Sequence, residues 1–361
     1  MIQRLNVNVP LNSVSFGNVS FNILREFYRK GITCAIFPKG GNVDLSAYKI
    51  EPGFGAWLEQ GINQRYSRVD RKVPTFTVWH ISESQFKASD KQFLLTFHET
   101  SEPTKEECNI LKQQDFTFFS SSYSVNNFKE AGVDNVGYVP LGLDEDFVRI
   151  EERLMSKDVI HTVVIGKAEK RKRTEQMIKI WIKKFGGNHR HQLTLLIDNP
   201  FFKPEQMQAF YQNLFENGQK PFNVNILPRV KTNAEMNQLY NSADISLNCS
   251  GGEGWDIPAH TATALGKWAV VSNATSHKDW ATKDNSILVE PNGMEVCYDN
   301  FFFAPGQPFN QGSFYTFTDE AIAAGLDEAV KRFGTVNEEG LKLAKNTYAI
   351  TAEKILEKIG D

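Results

Sequence analysis

Short apolar runs alternate with stretches of helical periodicity along the whole chain, and that alternation restricts the fold more than any other feature. Leu5, Val7 and Val9 alternate with asparagines up to Pro10, the pattern of a strand. A turn-rich loop from Pro10 to Asn18 leads into Val19, Ile23, Leu24 and Phe27, which repeat at helical spacing as far as Lys30. After the helix-ending Gly31, Ile32 to Pro38 forms a second strand. This is a βαβ opening, and it predicts a Rossmann-like parallel sheet.

The same rhythm continues. A helix is expected over Ala56 to Tyr66, and buried strands over Pro74 to Ile81 and Phe93 to Phe97, with His80 and His98 at their ends. Thr104 to Gln114 reads as a helix with Glu106 and Glu107 in its first turn; Phe116 to Phe119 and the run from Val136 read as strands around a short helix. In the second half, strands are expected over Val159 to Ile165, Leu193 to Ile197, Phe222 to Leu227, Asp244 to Cys249, Trp268 to Ser272 and Ile287 to Glu290. Helices are expected over Glu175 to Phe185, Pro204 to Asn217, Asn233 to Ser242 (capped by Thr232 or Asn233) and Pro258 to Leu265, with two more over Glu320 to Phe333 and Asn337 to Ile359. Pro291 to Thr318 reads as an irregular insertion whose phenylalanines must pack.

A chain of 361 residues suits two domains of roughly 150 to 200 residues each. Its 41% hydrophobic and 23% charged content exclude disorder, and a net charge of −3 gives no global attraction to nucleic acid or anionic membrane. Cys34, Cys108, Cys249 and Cys297 have no metal-ligand spacing and read as reduced thiols. There is no charged-then-apolar leader, and no apolar run approaches the ~20 residues of a membrane span, so the expected location is the cytoplasm.

The stretch Ser250-Gly-Gly-Glu-Gly-Trp-Asp-Ile-Pro-Ala-His-Thr261 lies between a strand and a Pro-led helix. Helix N-termini carry unpartnered N–H groups and partial positive charge, so such a turn can hold phosphate, with Gly251, Gly252 and Gly254 permitting close approach. Glu253 would repel phosphate but could accept hydrogen bonds from sugar hydroxyls, which points to a nucleotide sugar. Plain turn glycines would give the same local pattern. The basic run Lys167-Ala-Glu-Lys-Arg-Lys-Arg173 reads as a solvated surface, as a nucleic-acid patch, or, from its place between a strand and a helix, as a holder of a diphosphate through Lys167 and Lys172, with Arg171 a register alternative to Lys172.

The order strand, Glu-Gly-aromatic turn, Pro-led helix and Ala264-Leu-Gly-Lys-Trp-Ala-Val-Val-Ser-Asn273 resembles the donor-site signature of retaining glycosyltransferases with the GT-B fold, most closely glycosyltransferase family 4. The succession from Phe116 through Ser120-Ser-Ser-Tyr and Gly132 to Pro140-Leu-Gly-Leu-Asp144 resembles the end of that family's N-terminal domain. The resemblance implies an α/β protein with two Rossmann-like parallel-sheet domains facing across a cleft. Residues 1–148 would form the acceptor side and 149–340 the donor domain, with 341–361 a helix packing back on the first.

It also implies site residues. Glu253 and His98 would contact the donor sugar and serve catalysis. Gly17 would let its loop approach the donor phosphates, Lys167 stands in the position of the family's arginine, and Lys172 would hold the diphosphate. Arg229 and Val230 would meet the base, and Gly252, Gly254, Trp255, Asp256, Ile257 and Thr261 would complete the donor site. Asp256 replaces a usual glycine, and Thr261 replaces the second glutamate, which contacts ribose in the family. His80 is read as structural. Neither cofactor nor metal is implied; the donor substrate would be a nucleoside-diphosphate sugar, UDP-hexose by class.

Three functions compete. The first is transfer to a glycan, lipid-linked or small-molecule hydroxyl. The second is modification of hydroxymethylated DNA, because the compact N-terminal half resembles short enzymes of bacterial viruses, with Lys170 to Arg173, Lys183, Lys184 and Arg190 lining a groove. The third is non-catalytic binding of sugar nucleotides.

Overall fold

The computed structural model describes residues 2–215, 218–299 and 301–361 and divides into two compact units. The first comprises Met1–Asp146, Phe303–Gly312 and Lys345–Asp361, and the second Phe147–Phe302 and Ser313–Ala344.

In the first unit the chain runs β1 (Arg4–Leu11), α1 (Ser15–Arg29), β2 (Thr33–Val43), α2 (Phe54–Asn63), α3 (Arg65–Arg68), β3 (Thr75–Val78), β4 (Gln92–Thr96), α4 (Lys105–Lys112), β5 (Phe116–Phe119), α5 (Ser122–Glu130) and β6 (Val136–Tyr138). The six strands form a parallel sheet in the order β2-β1-β3-β4-β5-β6. β3 and β4 are buried along their whole length, as strands covered on both faces must be. α4 starts where the capping pattern predicts: Thr104 Oγ1 accepts from the Glu107 N–H, and Glu107 accepts in return from the Thr104 N–H.

The opening loop is shorter than the sequence suggests. β1 continues through Pro10 to Leu11 and α1 begins at Ser15, so Gly17 is a buried residue in the first turn of a helix and not part of a loop. The cause is packing of the first helical turn onto Asn12. The Asn12 side chain accepts from the Val14 N–H at 3.0 Å, and a Cβ on Gly17 would stand 2.2 Å from the Asn12 carbonyl oxygen. Gly17→Ala should therefore lower stability by about 1–3 kcal/mol through overpacking, read as a lower urea midpoint with unchanged helical circular dichroism.

The second unit runs β7 (Ile160–Ile165), α6 (Thr174–Phe185), β8 (His191–Leu196), α7 (Pro204–Leu214), β9 (Val224–Ile226), α8 (Asn233–Ser242), β10 (Ile245–Asn248), α9 (Ile257–Ala264), β11 (Trp268–Ser272), β12 (Ser286–Val289), β13 (Gly293–Val296), β14 (Ser313–Thr316), α10 (Asp319–Lys331) and α11 (Glu338–Leu341). Its parallel sheet has the order β12-β11-β10-β7-β8-β9, and β13 and β14 form a separate antiparallel pair. Its core joins Trp181, Leu193, Leu195, Leu247, Val270 and Leu326; each such side chain, fully buried, contributes roughly 1.5–3 kcal/mol. The end expected for α7, Asn217, lies outside the described residues.

Two further differences have tertiary causes. The segment Pro291 to Thr318 is not wholly irregular, since it contains the β13–β14 pair and buries Phe303, Phe314 and Phe317. The helix expected over Asn337 to Ile359 is broken, and α12 (Tyr348–Gly360), in the first unit, begins only after Thr347. There the backbone is extended and spent elsewhere: the Asn346 carbonyl accepts from Leu143 N–H at 2.8 Å, and Thr347 bridges Leu143. Asp144, at the end of the Pro140-Leu-Gly-Leu-Asp144 run, anchors that loop. It is buried, paired with Arg25 at 3.2 Å, and accepts from Asn22 at 3.0 Å and Asn18 at 3.1 Å, fastening its loop to α1.

Candidate active site

In the second sheet the chain leaves β7 towards β8 and β9, then returns to β10 on the other side, so strand order reverses between β7 and β10. Ligands of open α/β sheets bind beyond the carboxyl ends of strands at such a reversal. The segments following these two strands are Gly166 to Arg173 and Ser250 to Asp256, the two motifs singled out in the sequence.

They are joined by a line of alternating charges. Lys167 Nζ lies 2.7 Å from Glu169, whose other oxygen is 3.1 Å from Arg171. Arg171 Nη1 in turn lies 3.1 Å from Glu253 Oε1 and donates to the Gly252 carbonyl, and Lys172 Nζ lies 2.6 Å from the same Glu253 oxygen. Burial by itself would raise the Glu253 carboxyl, but Arg171 and Lys172 hold it well below the usual carboxylate range. Burial would likewise lower the Lys172 ammonium, and Glu253 keeps it above its ordinary value. Around the pair, Gly166, Thr174, Asn248 and Ser250 line a cavity of about 10 Å³, room for a single water. The ion pair thus fills the place where a ligand would sit.

Arg171 is buried and braces Glu169, Glu253 and the Gly252 backbone, so Lys172 is the cation left partly open. Gly252 and Gly254 are buried, and neither they nor Gly251 adopt a left-handed backbone; Asp256, with φ +64°, does. Aspartate tolerates that conformation, and here its side chain caps α9 by accepting from the Ala259 N–H at 3.4 Å. The helix N-terminus expected to meet phosphate therefore carries a carboxylate already. Trp255 points inward, its ring 5.1 Å from that of His260, and its carbonyl accepts from Trp280 Nε1. Ile257 is half-buried at the start of α9, and Thr261 is buried on the same helix. Arg229 is exposed and Val230 half-buried just beyond the carboxyl end of β9, where a base would be met. Lys167 is half-buried over the rings of Phe201 and Phe302, at 5.1 and 4.9 Å.

Beneath the loop, Asp256 Oδ2 pairs with His277 Nε2 at 2.9 Å, and His277 Nδ1 pairs with Ser272 Oγ at 2.8 Å. His260, flanked by Trp255 and Trp280, is buried with no partner for Nε2 among the described residues, and burial pulls its pKa from 6.5 to about 4. A folded-state pKa below the unfolded one favours the neutral ring, so this contribution is complete above pH 6.5 and is lost as pH falls toward about 4. Up to roughly 3 kcal/mol is at stake. Urea titrations of the native chain and His260→Leu across that window should converge as the native chain weakens; parallel curves would refute the account.

In the first unit His98 follows β4 and is buried. Its Nε2 lies 3.1 Å from Thr100 Oγ1 and 3.5 Å from Glu107, while Nδ1 has no hydrogen-bond partner among the described residues. Glu107 also accepts from the Asn310 N–H at 2.9 Å. What sequence reading missed lies at the equivalent reversal of this sheet, between β1 and β3. Phe16, assigned to a loop, and His80, read as structural, meet there with Trp79 and Phe97. Only the strand order identifies the position.

A cavity of about 810 Å³ in the second unit adjoins the basic run, lined by Glu169, Lys170, Arg173, Phe202, Phe210 and Phe301 among others. We place the site at the strand reversal, where the charged motifs converge. The four cysteines are buried. No helix among the described residues is long and apolar enough to cross a membrane.

The two parallel six-stranded sheets with their flanking helices are those of the GT-B glycosyltransferase fold. Solved structures that match over nearly the whole chain are sucrose-phosphate synthase from Thermosynechococcus elongatus (TM-score 0.69, 12% identity, 99% of this chain and 98% of that one) and a glycosyltransferase from Rickettsia africae (TM-score 0.69, 14% identity, 99% and 98%). A third is Anabaena HepE in complex with UDP and glucose (TM-score 0.67, 12% identity, 99% and 99%). No protein-family model matches the sequence, and no curated protein sequence matches it.

Proposed function

We propose that the chain is a glycosyltransferase that moves a hexose from a uridine diphosphate sugar to an acceptor hydroxyl with retention of configuration, as in glycosyltransferase family 4. The observation that carries this reading is the Lys172–Glu253 pair at the strand reversal of the second sheet. A diphosphate would take Lys172 from Glu253, and the released carboxylate would accept from sugar hydroxyls. As the acceptor oxygen bonds to the anomeric carbon, the bond from that carbon to the diphosphate oxygen breaks, and the hydroxyl proton leaves with the diphosphate. Lys172 and Lys167 would stabilise the departing charge, a task of electrostatic preorganisation that needs no protein nucleophile or metal. The choice of uridine is supported by two structural neighbours, HepE with UDP and glucose and the E. coli protein bound with UDP-2-fluoro glucose.

Transfer to DNA is less well supported, because most of the cations expected to line a groove are matched by acids. Lys184 pairs with Asp327 at 2.9 Å, Lys170 and Arg173 both pair with Glu295, and Arg171 is buried. Polyanion binding draws on uncompensated cations.

The test is a thermal-shift comparison with UDP, GDP, ADP, CDP and dTDP and their hexoses. UDP and UDP-glucose at a hundredfold excess over Kd should add about 2.7 kcal/mol, and Lys172→Ala should abolish that increment. No shift with any nucleotide would overturn the proposal.

A further inference from the structure

We propose that the carboxyl edge of the first sheet, between β1 and β3, is the acceptor site and that it takes a neutral sugar ring. Its use as an acceptor site rests on the transferase reading; its geometry rests on the first unit alone.

In the order β2-β1-β3-β4-β5-β6 the chain passes from β1 to β2 on one side and then crosses to β3 on the other. The reversal therefore falls between β1 and β3, the ligand position of an open α/β sheet. Four rings from three separate segments meet there. Phe16, on the first turn of α1, lies 4.5 Å from His80, 4.8 Å from Phe97 and 5.8 Å from Trp79, and Trp79 lies 5.2 Å from His80. Interior rings would be buried, yet His80 is exposed and the other three are half-buried. This is an aromatic platform open to solvent at a place built for ligands.

Its polar rim determines the class of ligand. The Trp79 indole N–H donates to Glu83 Oε2 at 2.8 Å. Lys39 Nζ lies 5.4 Å from the Trp79 ring centre and 3.7 Å from the same Glu83 oxygen. The cation over the Trp79 ring is thus matched by a carboxylate, which suits neither a phosphate nor a nucleic-acid backbone. A pyranose presents the complementary chemistry. Its C–H face lies on the negative face of an aromatic ring, and its hydroxyls can donate to Glu83 and accept from Lys39.

The experiment uses the full chain and two probes read separately. Saturation-transfer NMR with maltose, lactose and methyl α-glucoside reports the platform, and a UDP thermal shift reports the donor site. Neutral saccharides should give saturation transfer, weakened about tenfold in apparent affinity by Trp79→Ala and also by Glu83→Gln, with the UDP shift unchanged in both variants. Glu83→Gln removes only a surface charge, so it decides the matter if Trp79→Ala fails to fold. If UDP binds while none of the saccharides does, the platform proposal falls and the donor reading stands. Saccharide binding without any UDP response sinks the donor reading and leaves a sugar site. Salt-sensitive binding of a hydroxymethylcytosine duplex that Trp79→Ala abolishes would overturn the neutral-sugar assignment.

Discussion

Glu253→Gln should abolish transfer, cost about 3–5 kcal/mol of stability, and nevertheless bind UDP more tightly than the native chain does. The three effects share one cause. Glu253 is the common partner of Arg171 at 3.1 Å and Lys172 at 2.6 Å in a buried setting, so removing its charge strips Lys172 of its carboxylate and leaves Arg171 with Glu169 alone. In the native chain a diphosphate must break the Lys172 pair before using that ammonium; in the variant Lys172 is already available. A gain in UDP affinity on the order of tenfold, about 1.4 kcal/mol, is expected by calorimetry, together with a larger UDP-induced rise in melting temperature than the native chain shows. A fall in UDP affinity would mean that Glu253 assists nucleotide binding instead of competing with it, and would remove the partner exchange from the mechanism.

Arg171→Met should be the most damaging single change in the second unit, about 3–5 kcal/mol, because it leaves two buried carboxylates, Glu169 and Glu253, short of a counter-charge. It also removes the donor to the Gly252 carbonyl that holds the Ser250–Asp256 loop against the segment before α6. Arg171→Lys should not restore the loss, since an ammonium is a point charge and cannot span two carboxylates and a carbonyl as the guanidinium fork does. Hydrogen exchange should show faster opening of residues 250–257 in both variants. A loss below about 1 kcal/mol would show that water satisfies these carboxylates.

Legibility followed locality. Phe116–Phe119, Asn233–Ser242 and Trp268–Ser272 lie where the sequence puts them, because their boundaries are set by adjacent residues, as the Thr232 and Glu235 capping box shows. The expected loop at Gly17 and the single long final helix were misread for the opposite reason. Each boundary is fixed by a partner distant in sequence or by backbone packing, Asn12 against Gly17 and Leu143 against Thr347. At the site, the residue types were legible and their pairings were not. Lys172 and Glu253 stood out separately, one for a phosphate and one for a sugar, and nothing in their spacing shows that they bond each other.

The sequence by itself determined the alternation of strands and helices, hence two parallel sheets, and it marked the loops after β7 and β10 as chemically loaded. Periodicity, capping and glycine placement are local properties, and they act before the chain is packed. Only the tertiary structure decided which strands are neighbours, and therefore where the order of each sheet reverses. That decision turns Arg171 from a ligand-facing cation into a buried brace and lets Asp256 occupy a helix N-terminus that the sequence reading gave to phosphate. It also gathers Phe16, Trp79, His80 and Phe97 onto one edge. The physical reason is that charge pairing and ring contact depend on distances through space, which strand order sets and sequence separation does not.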